Sequence, residues 1–285
     1  MEFFEKNSAT SGLKIGHPNF EVIHQCTTGF QEIIIGETEQ YGRALFLDGI
    51  IQSTEADEAI YHEMLVHPGI AHTKTARNIL VAGAGEGASL RELLKHASVV
   101  KIDAVEIDGG MVQAAQNHLP GWHCGAFEDE RVTVYETDIF DHLAAAGADA
   151  YDYIIVDLTD PIDPDGEFCA ESLIFDSAFL RMLQDALRPG GCVIIQAGEL
   201  LPALAQVLPA LKQQFSWVRP FSVFVPSFHG KWTFLLLAAE DKSAERQEIE
   251  IRLKALEQLP RRYFSGEAYL QASKEADVFF ASLSV

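Results

Sequence analysis

Carboxylates recur at the ends of Val- and Ile-rich runs in the middle of this chain. Glu86 sits in the loop Gly83-Ala84-Gly85-Glu86-Gly87 directly after NILVA, and Glu106 ends VKIDAVE. Asp138 follows VTVYET, while Asp157 and Asp160 follow YDYIIV in DLTDP. Glycines at 83 and 85 permit a tight turn and close approach of backbone to a ligand where a helix begins. A carboxylate roughly 20 residues farther on, here Glu106, can accept both hydroxyl protons of a ribose. Glu86 inside the loop would repel a pyrophosphate, so a nucleoside without phosphate, of the S-adenosylmethionine kind, fits better. Asp138 suits the exocyclic amine of adenine, and it equally suits the N-cap of the helix IFDHL. Glu86, Asp157 and Asp160 exceed what a nucleoside needs. Crowded carboxylates repel unless cations sit among them, which points to a polyamine or a metal. His62, Glu63, His67 and His72 offer metal-type ligands. Steps of five residues turn about 140° around a helix, however, so these four share no face and are expected to be packed and hydrogen-bonded, with no metal site.

These carboxylates need a scaffold that brings strand ends to one rim. Residues 20–54 carry the short apolar runs FEVIH, FQEIIIGE, GRALFLDG and IIQST, separated by turn signals at Thr28-Gly29, Tyr41-Gly42 and Asp48-Gly49. They predict a small N-terminal antiparallel β domain, placed at residues 1–54. A helix is expected over about 55–71, kinked or ended at Pro68. From Asn78, strand-like and helix-like runs alternate, which predicts βαβ units with right-handed crossovers and a doubly wound α/β domain over 55–285. WVRPFSVFV and WTFLLLAA predict an antiparallel edge, and residues 240–257 a surface helix. In such sheets ligands bind beyond the carboxyl ends of the strands, where these acids lie.

Composition narrows the classes. A chain of 285 residues can bury about 75% of its unfolded surface without disulfides. Its hydrophobic fraction of 48% with 22% charged residues excludes disorder. No apolar run reaches a membrane span, and MEFFEKNSAT lacks the apolar core of a secretory signal, so a cytoplasmic protein off the membrane is expected. Cys26, Cys124, Cys169 and Cys192 lack zinc or disulfide spacing and are expected to be reduced. A formal net charge of -21 repels phosphate backbones, which argues against nucleic acid as a partner and favours polycations.

Several segments taken together resemble the polyamine aminopropyltransferase family of spermidine, spermine and thermospermine synthases. They are GRALFLDGIIQSTEADEAIYHEM from Gly42, ILVAGAGEGASLRELLKH from Ile79, VEID from Val105, IIVDLTDP from Ile154 and VPSFHGKW from Val225. The resemblance implies a Rossmann-like, class I methyltransferase-like catalytic domain and an N-terminal domain used in a homodimer or homotetramer. It implies decarboxylated S-adenosylmethionine as aminopropyl donor, with no separate cofactor. Carried over by position, Gln31, Gly83, Gly85, Glu86, Glu106 and Asp138 bind the donor, Glu86 through the donor's ammonium. Tyr61, His62, Asp160, Phe228 and Trp232 are assigned to the acceptor, and Asp157 to catalysis. Spermidine synthases usually carry GGGDGG, DSSDP and a tyrosine in the later acceptor loop. This chain has GAGEGA, DLTDP and Phe228, and with IIQAG and VPSF it resembles the thermospermine synthase branch, which implies spermidine as acceptor, with a spermidine synthase using putrescine as the alternative. Two other readings use the same acids: an S-adenosylmethionine methyltransferase, or a noncatalytic polyamine-binding protein.

Overall fold

Alternating side chains explain why the central strands are apolar throughout. In the run NILVA, Ile79 and Val81 enter one hydrophobic cluster and Leu80 and Ala82 another, so both faces of the sheet are covered. The computed structural model describes residues 2–6, 15–158, 172–199 and 204–283. Near the start, β1 (Phe3–Phe4) pairs with β2 (Gly16–His17), a bridge that residue patterning does not reveal. The antiparallel sheet β3 (Glu21–Thr27), β4 (Glu32–Thr38), β5 (Gly42–Leu47) and β6 (Ile50–Thr54) follows in sequential order. Asp48 and Gly49, both at positive φ, form the two-residue turn between β5 and β6.

After α1 (Glu58–His72) the chain alternates: β7 (Asn78–Ala82), α2 (Ala88–Leu94), β8 (Lys101–Glu106), α3 (Gly109–His118) and α4 (Pro120–His123). It continues through β9 (Val132–Glu136), α5 (Ile139–Ala146), β10 (Tyr151–Val156), α6 (Ser177–Ala186), β11 (Leu187–Gln196) and α7 (Leu204–Gln214). The strands β12 (Trp217–Val225) and β13 (Gly230–Ala238) precede α8 (Arg246–Leu256) and α9 (Gly266–Leu283). Among the described residues these strands make a seven-stranded sheet of order β12-β13-β11-β10-β7-β8-β9. Strands β11, β10, β7, β8 and β9 are parallel, and β13 joins β11 and β12 antiparallel, as the sequence predicts for that edge. Glycine is required at Gly83. Its φ is +83°, and a Cβ there would collide with the Asp157 carbonyl, so the ends of β7 and β10 can meet closely.

Of the two outcomes expected at Pro68, an end to the first helix does not occur: α1 runs through it to His72. A proline removes one helical N–H and crowds the preceding turn. Here the buried Tyr153 hydroxyl donates to the Leu65 carbonyl at 2.9 Å, within that loosened turn. Gly69 leaves the room that the Tyr153 ring occupies.

Candidate active site

A cavity of about 440 Å³ opens at the carboxyl ends of β7, β8 and β10, roofed by the N-terminal sheet. Its nucleoside-sized half is bordered by the glycine loop at Gly83 and Gly85 and by Glu106 and Asp138. Glu106 accepts the Asp108 backbone N–H at 3.0 Å. Burial, and then the neighbouring Asp108 charge, raise its pKa. Asp138 caps α5 by accepting the Phe140 N–H at 2.7 Å, so the capping role is real and the residue also faces the cavity. Gln31 reaches the same rim from the turn between β3 and β4. Its amide and the Thr28 hydroxyl both donate to Asp108 Oδ2, at 2.9 and 2.8 Å, while Asp108 Oδ1 caps α3. The segment VEID therefore places one acid in the cavity and uses the other as an anchor for the N-terminal sheet.

The other half of the cavity is aromatic and acidic. Tyr61 on α1 donates its hydroxyl to Asp157 Oδ1 at 2.5 Å, directly after β10. Phe228 lies over Tyr61 and Trp232, with ring centroids 6.0 and 4.6 Å apart. The Trp232 indole N–H is taken by Gln196 Oε1 at 3.2 Å, so the ring offers the cavity its apolar face. The loop carrying Phe228 is pinned to the start of α1: Asp57 accepts the Ser227 N–H at 2.7 Å, the Ser227 hydroxyl at 3.0 Å and the Thr54 hydroxyl at 2.6 Å. Asp160 lies outside the described residues.

His62 does not border the cavity, although the acceptor assignment would place it there. It is 1% exposed and stands behind Glu86, with Nε2 2.6 Å from Glu86 Oε1 and Nδ1 2.8 Å from the Glu58 carbonyl. Burial opposes its protonation, but Glu86 and Glu58 outweigh burial and raise its pKa to about 10. Glu86 does border the cavity, and its second oxygen accepts the Ser53 hydroxyl at 2.6 Å. Glu58 is pushed down to about 2, because the His62 and Arg91 contacts overcome its burial.

The remaining α1 ligand candidates each have separate protein partners. Glu63 accepts three backbone N–H groups, from Arg262, Tyr263 and Phe264, at 2.6, 2.8 and 2.6 Å. His67 Nδ1 faces His96 Nε2 at 3.0 Å, and His72 Nε2 faces the Tyr269 hydroxyl at 2.9 Å. Burial and then the nearby Arg252 charge hold His72 down to about 3. Among the described residues no group of three or more metal-type ligands comes together.

Residues 58–248 match the spermine/spermidine synthase domain, and residues 20–55 match the spermidine synthase tetramerisation domain. The chain belongs to the spermine/spermidine synthase family. It is 36% identical over 277 residues to polyamine aminopropyltransferase 1 of Hyperthermus butylicus, an alignment covering 93% of this chain and 92% of that protein. The fold superposes on a spermidine synthase in complex with the transition state analogue AdoDATO with a TM-score of 0.84 at 25% identity, covering 96% of this chain and 91% of the other. Spermidine synthase from Thermotoga maritima gives a TM-score of 0.82 at 25% identity, with coverage of 96% and 90%.

In this member of the spermine/spermidine synthase family, several site residues escape sequence reasoning. Ser53, Trp122, Asp57 and Gln196 each meet a site partner 33 to 170 positions away. No local pattern marks such contacts. The one available signal was that Ser53 and Asp57 lie inside the quoted segment GRALFLDGIIQSTEADEAIYHEM.

Proposed function

We propose that this polyamine aminopropyltransferase moves the aminopropyl group of decarboxylated S-adenosylmethionine onto an amine of spermidine, giving a tetraamine and 5′-methylthioadenosine. The observation that carries the reading is a single cavity with two unlike halves. One half pairs a glycine loop with Glu106 and Asp138, which suits a nucleoside. The other pairs Asp157 with a cage of Tyr61, Phe228 and Trp232, which suits an alkylammonium chain.

In the reaction the acceptor nitrogen attacks the methylene beside the sulfonium. The new C–N bond forms as the C–S bond breaks, and the electron pair passes to sulfur, leaving a neutral thioether. The nitrogen must first lose a proton, since a free amine has a pKa near 10. Asp157 takes that role, oriented by the Tyr61 hydroxyl. A carboxylate near 4 is a weak base for such an amine in water, so desolvation against Phe228 and Trp232 must lower the amine's pKa. Holding both substrates in line contributes several kcal/mol more. Glu86 favours the donor's ammonium and disfavours the carboxylate of intact S-adenosylmethionine, and Asp160 is assigned to the acceptor beside Asp157.

Phe228, in place of a hydroxyl-bearing ring, favours spermidine over the shorter putrescine. The proposed assembly is a homotetramer or homodimer formed through the N-terminal sheet, residues 1–54, with the remainder as the catalytic domain. The unpaired Cys26, Cys124 and Cys192 suit a reducing cytoplasm. No helix among the described residues is long and apolar enough to cross a membrane.

The test is an overnight reaction with decarboxylated S-adenosylmethionine and, separately, putrescine, spermidine and agmatine, with products resolved by isomer-sensitive chromatography and mass. A tetraamine from spermidine supports the acceptor assignment and names the attacked nitrogen. Spermidine from putrescine replaces that acceptor. Methyl transfer from intact S-adenosylmethionine, or binding without turnover, overturns the reaction itself.

A further inference from the structure

Glu86 is approached from behind along two routes that close into a ring. On one side, His62 Nε2 meets Glu86 Oε1 at 2.6 Å, His62 Nδ1 meets the Glu58 carbonyl at 2.8 Å, and the Glu58 carboxylate meets Arg91 Nη2 at 2.8 Å. On the other side, Ser53 Oγ meets Glu86 Oε2 at 2.6 Å and the Trp122 indole N–H meets Ser53 Oγ at 2.8 Å. Arg91 joins the two routes, because its Nη1 also donates to the Trp122 carbonyl at 2.8 Å. Of the six residues, Glu86 alone borders the cavity. Ser53, Trp122, His62 and Glu58 are each at most 3% exposed.

Donor and acceptor counting fixes the direction of the Trp122–Ser53–Glu86 route. An indole nitrogen can only donate, so Trp122 occupies a lone pair of Ser53 and leaves the Ser53 hydroxyl proton for Glu86. The Glu58 carbonyl can only accept, so His62 Nδ1 carries a proton. The Glu86 carboxylate 2.6 Å from His62 Nε2 favours the doubly protonated, charged ring. Glu86 thus has a buried hydroxyl donor on Oε2 and the His62 ring as an ion-pair partner 2.6 Å from Oε1, and keeps its remaining lone-pair capacity for the cavity. An aspartate at this position, one methylene shorter, would draw the carboxylate back by about 1.5 Å from Ser53 and His62.

We propose that Ser53, contributed by the N-terminal sheet, and Trp122 are positioning residues that act through Glu86, holding its carboxylate toward the substrate ammonium group. The N-terminal sheet thereby takes part in choosing the substrate. This rests on the role given above to Glu86. Neither Ser53 nor Trp122 touches substrate. Their effect is selective for ligands that carry the ammonium and absent for 5′-methylthioadenosine, which lacks it.

The experiment measures dissociation constants of the full-length protein for decarboxylated S-adenosylmethionine and for 5′-methylthioadenosine by calorimetry. Loss of a charge-assisted hydrogen bond in Ser53→Ala is expected to weaken the first ligand roughly 10-fold and leave the second unchanged. Ser53→Thr, which keeps the hydroxyl, is expected to restore the wild-type ratio. Trp122→Phe, which frees the Ser53 hydroxyl to rotate, is expected to weaken the first ligand roughly 3-fold. In a Glu86→Gln background, Ser53→Ala is expected to add nothing, the signature of action through Glu86. If wild type prefers the ammonium-bearing ligand and Ser53→Ala keeps that preference whole, the positioning role falls while the proposed reaction stands. If wild type shows no preference between the two ligands, the role of Glu86 falls and the positioning role falls with it. Should Ser53→Ala fail to fold, Trp122→Phe decides, and an unchanged ratio in that variant overturns the proposal.

Discussion

Two groups of carboxylates serve this molecule, one behind the cavity and one inside it, and their partners differ in kind. Behind the cavity, Glu58 meets Arg91, Arg262 and His62, and Glu92 meets Arg91, Lys95 and His67. Inside it, Glu106 and Asp138 are held by backbone amides, with no cation against either among the described residues. Asp157 accepts a tyrosine hydroxyl. Neutral donors fix where a carboxylate points and leave its charge for a ligand, whereas cationic donors use the charge up. A count of acids in the sequence cannot separate the two groups. The partners do.

The contrast is tested hardest at Asp157. Asp157→Asn keeps the shape and the hydrogen bond to Tyr61 but removes the base, so turnover is expected to fall about 1000-fold, or about 4 kcal/mol in barrier. Binding of 5′-methylthioadenosine, measured alongside, is expected to stay within about 2-fold. Unchanged turnover removes Asp157 from the base role.

The opposite outcome is expected at Glu63, a carboxylate used entirely by the fold. Its three backbone donors tie the segment after α8 to α1. Glu63→Gln turns one acceptor into a donor that faces N–H groups, at a cost of about 3 kcal/mol in stability. Chemical denaturation reads this directly, and 5′-methylthioadenosine affinity per folded molecule is expected to hold. Full stability with lost affinity would move Glu63 into the cavity group.

How much of this was legible follows from the range of the contacts. The sheet was readable because apolar runs and glycine turns are local, and the rim acids because they terminate those runs. The Asp48-Gly49 turn and the Asp138 cap were readable for the same reason. Pro68 misled because the hydroxyl that supports its turn comes from Tyr153, across the sheet. His62 was drawn into the acceptor set by its place beside Tyr61, which lines the cavity, while its own ring faces Glu58 and Glu86. Nothing near Ser53 announces Trp122, 69 positions on, or Asp57's grip on Ser227, 170 positions on. Such contacts are set by packing, after the fold exists.

His62 belongs to both groups and gives the comparison a pH axis. Its folded pKa, about 10, lies above the usual value of 6.5. The stability from its charge is therefore fully present below pH 6.5 and is lost as pH rises through about 10. His62→Gln is expected to be less stable than wild type by about 2 kcal/mol at pH 6.5, with the gap closing toward pH 10. Denaturation midpoints at pH 6.5, 8 and 10 check it. A constant gap would mean that His62 acts by packing alone.

The finest test falls on Glu86, which is gripped from behind by one cation and one hydroxyl and still faces the cavity. Decarboxylated S-adenosylmethionine presents an ammonium to it, whereas the intact compound adds a carboxylate. In wild type the Glu86 charge attracts the first and repels the second. Glu86→Gln removes both effects together, while the amide oxygen can still accept from the Ser53 hydroxyl. The preference for the decarboxylated donor is expected to shrink roughly 10-fold, about 1.4 kcal/mol, with 5′-methylthioadenosine binding unchanged. Paired dissociation constants for the two donors give that ratio. A preference as large in the variant as in wild type would mean that the His62 cation has already cancelled the Glu86 charge, placing Glu86 with the acids the fold consumes rather than with those that meet substrate.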